Sequence, residues 1–140
     1  MFQLLLWRRS SDLSCAVNAA AARAALAKVQ QAGIAFQTGY LWRYDEGAQR
    51  LKAMIAEGRF GKLISVEMTC VTSDANRRGP AHFLFDPQQS GGGYFNWLGC
   101  HYLDLLGYVT GQSVTAVTAR TGVFGETPLG VEDGGSAIFD

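Results

Sequence analysis

The stretch KLISVEMTCVT, residues 62–72, alternates in character. Ile64, Val66, Met68 and Cys70 occupy every second position, with Ser65, Glu67 and Thr69 between them. Successive side chains of a strand point to opposite faces, so this period predicts a strand with one apolar face. One covered face and one wetted face are the habit of antiparallel sheets. The stretch therefore points to an α+β fold with a mostly antiparallel sheet.

The neighbouring segments fit that expectation. Before it, YDEGAQRLKAMIAEG offers Asp45 as a helix N-cap and Gly58 as a stop. Ala48, Leu51, Met54 and Ile55 recur at helical spacing and give one apolar face. That face is expected to cover the sheet, each large side chain contributing roughly 2 kcal/mol when buried. After it, residues 73–89 hold Pro80 and Pro87 and show no period. A loop of that length in a compact domain is often functional. A further strand is expected over residues 114–121, with Val114, Ala116 and Thr118 on one face. The strand over 62–72 and this one are expected to share a sheet. VEDGGSAIFD, residues 131–140, reads as the start of another strand, with a pairing edge. Towards the N-terminus, NAAAARAALAKVQQAG predicts a helix capped by Asn18 and ended by Gly33. IAFQTGY, residues 34–40, follows as a short strand, and the two together resemble half of a βαβ unit.

Composition narrows the function classes. The chain has 140 residues, 48% hydrophobic and 17% charged, with zero formal net charge. That describes one folded domain and excludes a basic nucleic-acid surface. Cys15, Cys70 and Cys100 are three in number and far apart, which suggests neither a disulfide framework nor a zinc site. A reducing cytoplasm is the simplest setting for them. MFQLLLW is apolar but is followed, not preceded, by Arg8 and Arg9, so it does not read as a secretory signal. No stretch approaches the roughly 18 apolar residues of a membrane span.

The chemistry concentrates in SGGGYFNWLGCHYLD, residues 90–104. Three glycines precede a helix expected over about residues 96–109 and closed by Gly111. Leu98, Tyr102, Leu105 and Val109 form its core stripe; Trp97, His101, Asp104 and Tyr108 form a second stripe. Imidazole can take a proton near neutral pH, which suits His101 to general-base work with Asp104 as its orienter. The helix start behind Gly91–Gly93 offers backbone N–H groups to an oxygen-rich ligand. The structural alternative makes His101 a hydrogen-bonded core residue and the glycines a tight turn. Cys100 and His101 are adjacent and point apart on a helix, so they do not suggest a metal pair.

Three segments in this order resemble the Gfo/Idh/MocA oxidoreductases. They are GYLWRYDEGAQRLKAMIAEGRFGKLISVEM, FDPQQSGGGYFNWLGCHYLDLLGYVTG and VEDGGSAIFD. The resemblance covers roughly residues 16–140. It implies a two-domain dehydrogenase that moves a hydride between a nicotinamide cofactor, NAD or NADP, and a sugar, inositol or similar polyol. It implies His101 and Asp104 as catalytic residues and a substrate pocket drawing on Trp97, Asn96, Arg43 and Tyr44; from the residues themselves, Arg77 in the irregular loop is a further candidate polyol contact. The family Asp four residues before the His falls on Trp97, and the family Glu-Lys-Pro falls on Asp12, Leu13 and Ser14, so the catalytic Lys is absent. No GxGxxG occurs, and no cofactor-binding residue is expected in this chain.

On this reading the chain is an internal fragment. Residues 1–15 are foreign to the pattern, 16–40 are a remnant of the dinucleotide-binding Rossmann domain, and 41–140 are part of the C-terminal substrate and oligomerisation domain. Its partners would be a small polyol and other copies of itself through the sheet. The alternative function is a non-catalytic oligomerising sheet domain, or an inert remnant without the cofactor site.

Overall fold

The computed structural model describes residues 16–140. Asp12, Leu13, Ser14 and Cys15 lie outside the described residues. Helix α1 spans Ala19–Ala32. The Asn18 side chain accepts the Ala21 N–H at 2.9 Å and caps its start. Gly33 closes it in the left-handed conformation, φ 63°. Ala22, 2% exposed, is the buried contact of this helix.

Residues 34–40 form no strand, contrary to expectation. A strand needs a neighbour to receive its N–H and C=O groups. None of the described residues supplies one here, and Ile34 and Phe36 stay exposed. The chain instead buries Tyr40 and makes a single 3-10 turn, Leu41–Tyr44. Asp45 then accepts the Ala48 N–H at 2.9 Å and starts α2, Glu46–Ala56. Its cap is the expected one, and Gly58 turns the chain away at φ 70°.

The strand expected over residues 62–72 is also absent. Ile64 is 92% exposed, and Val66 and Met68 are exposed as well. The alternation is real, but among the described residues no partner strand stands beside it. It is tied to the rest of the fold near its end, where the Tyr94 hydroxyl donates to the Cys70 carbonyl at 3.2 Å and Thr72 Oγ1 accepts the Asp74 N–H at 3.2 Å. The apolar face of α2 therefore has no sheet to cover. It packs on α5 instead, with Met54 and Ile55 half-buried and Leu51 exposed.

Residues 73–89 are more ordered than their sequence suggests. They hold α3, Asp74–Arg78, a 3-10 turn, Phe83–Phe85, and the single-turn α4, Pro87–Ser90. The helix expected over about 96–109 forms in two parts. A π-helical turn, Phe95–Gly99, runs into α5, Cys100–Thr110, and Gly111 ends it at φ 69°. The sheet is a two-stranded antiparallel ribbon of β1, Val117–Gly122, and β2, Gly134–Phe139. Val117 pairs with Phe139 and Gly122 with Gly134. The partner of β1 is thus β2 and not residues 62–72. Helices and an antiparallel ribbon make the α+β class that the sequence indicated. The buried apolar core is Ala22, Tyr40, Phe85, Val109 and Val131.

Asp86 holds the last turn before the glycine loop. It accepts from Gln89 Nε2 at 2.6 Å and from the Gln88 N–H at 2.9 Å. These bonds, the Gln89 side chain first, hold its carboxyl below the usual carboxylate range. A lowered carboxyl stabilises the fold fully above its unfolded value, about 3.9, and loses that contribution as pH falls through the lowered one. NMR titration should therefore find Asp86 titrating below an ordinary Asp, and Asp86→Ala should remove that acid-labile component. A midpoint at or above the ordinary value would contradict the cap.

Candidate active site

The glycine loop is shaped by the chain itself. Gly91 adopts φ 71°, and a Cβ there would collide with the Val17 carbonyl oxygen. A Cβ at Gly93 would collide with the Glu132 carbonyl oxygen. The Glu132 carboxylate accepts the Gly93 N–H at 2.9 Å and the Phe95 N–H at 3.3 Å. The Tyr94 N–H donates to the Glu132 carbonyl at 2.8 Å. The N–H groups expected to meet an oxygen-rich ligand are thus taken by one acidic residue. Its charge also complements the positive end of the helix.

Asn96 serves the same loop, donating from Nδ2 to the Ser90 carbonyl. Trp97 lies in the π turn against Phe85 and Tyr94, with centroids 6.2 and 6.0 Å away. Its Nε1 is buried and has no hydrogen-bond partner. One turn on, His101 sits beside two rings from the other side of the fold. Tyr40 meets it edge-on at 5.8 Å, and Trp42 lies at 6.1 Å. His101 Nδ1 is likewise buried without a partner.

The expected hydrogen bond between Asp104 and His101 is not made. Asp104 faces Arg43, which grips both carboxylate oxygens: Nε donates to Oδ2 at 2.7 Å and an Nη to Oδ1. The Asp104 side chain is 5% exposed and the Arg43 side chain 22%. A planar guanidinium satisfies a carboxylate better than an imidazole does, because it presents two parallel N–H groups. Bonding to Asp104 raises the Arg43 pKa further from neutrality. The same guanidinium lies 5.9 Å from the Tyr40 ring and 5.5 Å from the Tyr108 ring. Lys52 of α2 covers Tyr108 at 3.9 Å. Asp104 is therefore connected to His101 indirectly, through Arg43 and Tyr40.

Two expected pocket residues do not join this cluster. Tyr44 is 67% exposed and accepts a hydrogen bond from Gln37 at 2.8 Å. Arg77 is exposed and paired with Asp74 in α3. Burial pushes the Cys100 thiol up, which leaves it a poor nucleophile. Among the described residues no group of three His, Cys, Asp or Glu could hold a metal ion. No described helix is long and apolar enough to cross a membrane. A concave surface of about 470 Å³ lies beside the glycine loop against Val131 and Glu132, and its lining does not include His101.

Residues 48–140 match the model of the GFO/IDH/MocA C-terminal domain. The chain belongs to the Gfo/Idh/MocA family. It is also similar to the "Uncharacterized oxidoreductase YrbE" of Bacillus subtilis (strain 168), 29% identical over 96 residues. That match covers 69% of this chain and 26% of the relative. No solved structure matches. The Gfo/Idh/MocA segment includes Arg77, Asn96, Trp97, His101, Asp104 and Glu132, while Tyr40, Trp42, Arg43 and Tyr44 precede it.

The described residues do not fit a dinucleotide. A pyrophosphate needs a glycine turn between a strand and a helix, so that backbone can approach it closely. Among the described residues no strand precedes α1, whose own residues include no glycine and whose start is capped by Asn18. Sequence reasoning missed Glu132, Tyr40 and Trp42 at the site. The signal for Glu132 was an acidic residue ahead of a strand, with no period to link it to residue 93.

Removing one partner of a largely buried ion pair strands the other charge. Arg43→Met should therefore destabilise the chain by about 3 kcal/mol, read as a lower urea midpoint. The double variant Arg43→Met/Asp104→Leu should recover part of that loss. An Arg43→Met midpoint equal to wild type would show that the pair is not a structural tie.

Proposed function

We propose that this chain forms the substrate side of an NAD(P)-dependent oxidoreductase that acts on a hydroxyl of a sugar, inositol or similar polyol. The observation that carries this reading is His101 Nδ1, buried and unpartnered between Tyr40 and Trp42. A buried polar atom without a partner costs free energy, and a ligand group that bonds it removes the cost. It lies on the family-matched helix, and family membership supports oxidoreductase chemistry. The similar Bacillus subtilis protein is itself named an oxidoreductase, which points the same way.

In this reading His101 takes the proton of the substrate hydroxyl. Trp97 forms a wall and offers an N–H to a substrate oxygen. Asp104 acts through Arg43, which steadies the Tyr40 ring against His101. Asn96 shapes the loop, while Arg77 and Tyr44 stand as outer polar contacts. Binding of the dinucleotide is assigned to none of the described residues.

The test joins this chain to a dinucleotide-binding domain of the same family and follows polyol-dependent reduction of NAD(P)⁺. His101→Ala should lower turnover about a hundredfold or more with the circular dichroism unchanged. Near-normal turnover across pH would make His101 a packing residue.

Association through the sheet belongs to the same proposal. β1 and β2 each have one neighbour among the described residues, so each keeps an unpaired edge. Ile138 and Val117 are exposed on this ribbon. Sedimentation should show dimers or larger species of the isolated chain that Ile138→Lys weakens. A monomer at high concentration would refute it.

A further inference from the structure

Glu132 has no part in the proton transfer described above, yet it governs the start of the helix that carries His101. Three consecutive N–H groups end on it: Gly93 and Phe95 on its carboxylate, Tyr94 on its carbonyl. A Cβ at residue 93 would close this approach. The helix begins there in an unusual way. Phe95–Gly99 forms a wider π turn before α5 takes over at Cys100. Such turns are rare, and they are found frequently at functional sites.

The π turn changes the angle between side chains before it and after it. Trp97 lies inside it, and His101 follows two residues after its end. Each carries a buried nitrogen with no partner. The anchoring of residues 93–95 therefore sets the angle at which both side chains are presented. A carboxylate is suited to this role, since it receives two N–H groups at once and complements the helix dipole.

We propose that Glu132 is a positioning residue: by clamping the Gly93 and Phe95 N–H groups, it fixes the π turn and thereby the orientation of the His101 imidazole. Its value to the reaction rests on the reading of His101 as the proton-taking group. The positioning itself can be read without turnover.

The chain has two histidines, so a ¹H–¹³C NMR spectrum holds two Cε1–Hε1 ring signals. His82→Gln assigns them. His82 serves as an internal control, because its ring bonds the Leu84 N–H at 3.3 Å and lies beside Arg78. In Glu132→Ala the amide protons of Gly93 and Phe95 should exchange about tenfold faster or more. The His101 signal should move while the His82 signal stays. Glu132→Gln keeps one acceptor oxygen and should give a smaller shift in the same direction. If the amides are released and the His101 signal does not move, the clamp is only a cap and the proposal fails. If the amides keep their protection, the clamp itself is wrong. Should Glu132→Ala not fold, an unmoved His101 signal in Glu132→Gln overturns the proposal alone. Normal turnover in His101→Ala would instead overturn the proton-transfer reading and leave this result standing.

Discussion

The ion pair between Arg43 and Asp104 ties the turn after residue 40 to α5 across a long stretch of chain. The partners are 61 residues apart in sequence, and the pair is bidentate and mostly removed from water. It fastens the 3-10 turn after residue 40 to the middle of α5. That placement brings Tyr40 and Trp42 to His101, and Trp42 also meets Tyr102 edge-on at 4.5 Å. The packing of α2 on α5 follows from the same attachment, because only Asp45 separates the end of the turn from the start of α2.

The glycines ahead of α5 have a structural explanation that leaves the chemistry of His101 open to a ligand. What approaches the loop is the backbone at Val17 and both ends of Glu132. The helix start is thereby filled, and the unsatisfied atoms lie deeper, at Trp97 Nε1 and His101 Nδ1. A polar ligand gains most where buried atoms lack partners, because it then removes a cost already present. The chemical interest of the helix lies accordingly in its side chains and not in its N-terminal dipole.

The ribbon of β1 and β2 shows the limit of strand patterns. Both residues 62–72 and residues 114–121 alternate, yet only the second lies in a ladder. Alternation states which side chains share a face. It does not state which strand will stand alongside, and hydrogen bonds to a neighbour are what make a strand. Ile64, Val66 and Met68 keep their apolar face in solvent for that reason.

Local signals alone determined the helices. Asn18, Asp45, Gly33, Gly58 and Gly111 act within one turn of chain, so their effect is readable from adjacent residues. The α+β class, the family, and the presence of Trp97, His101 and Asp104 on one helix were readable in the same way. The partner of each polar group was not. Asp104 turned to Arg43 and not to His101, Glu132 reached back to Gly93, and the π turn replaced a regular α turn. These depend on contacts between residues 37 to 61 positions apart. Only the folded chain decides them, because a carboxylate bonds whichever donor the packing brings within about 3 Å.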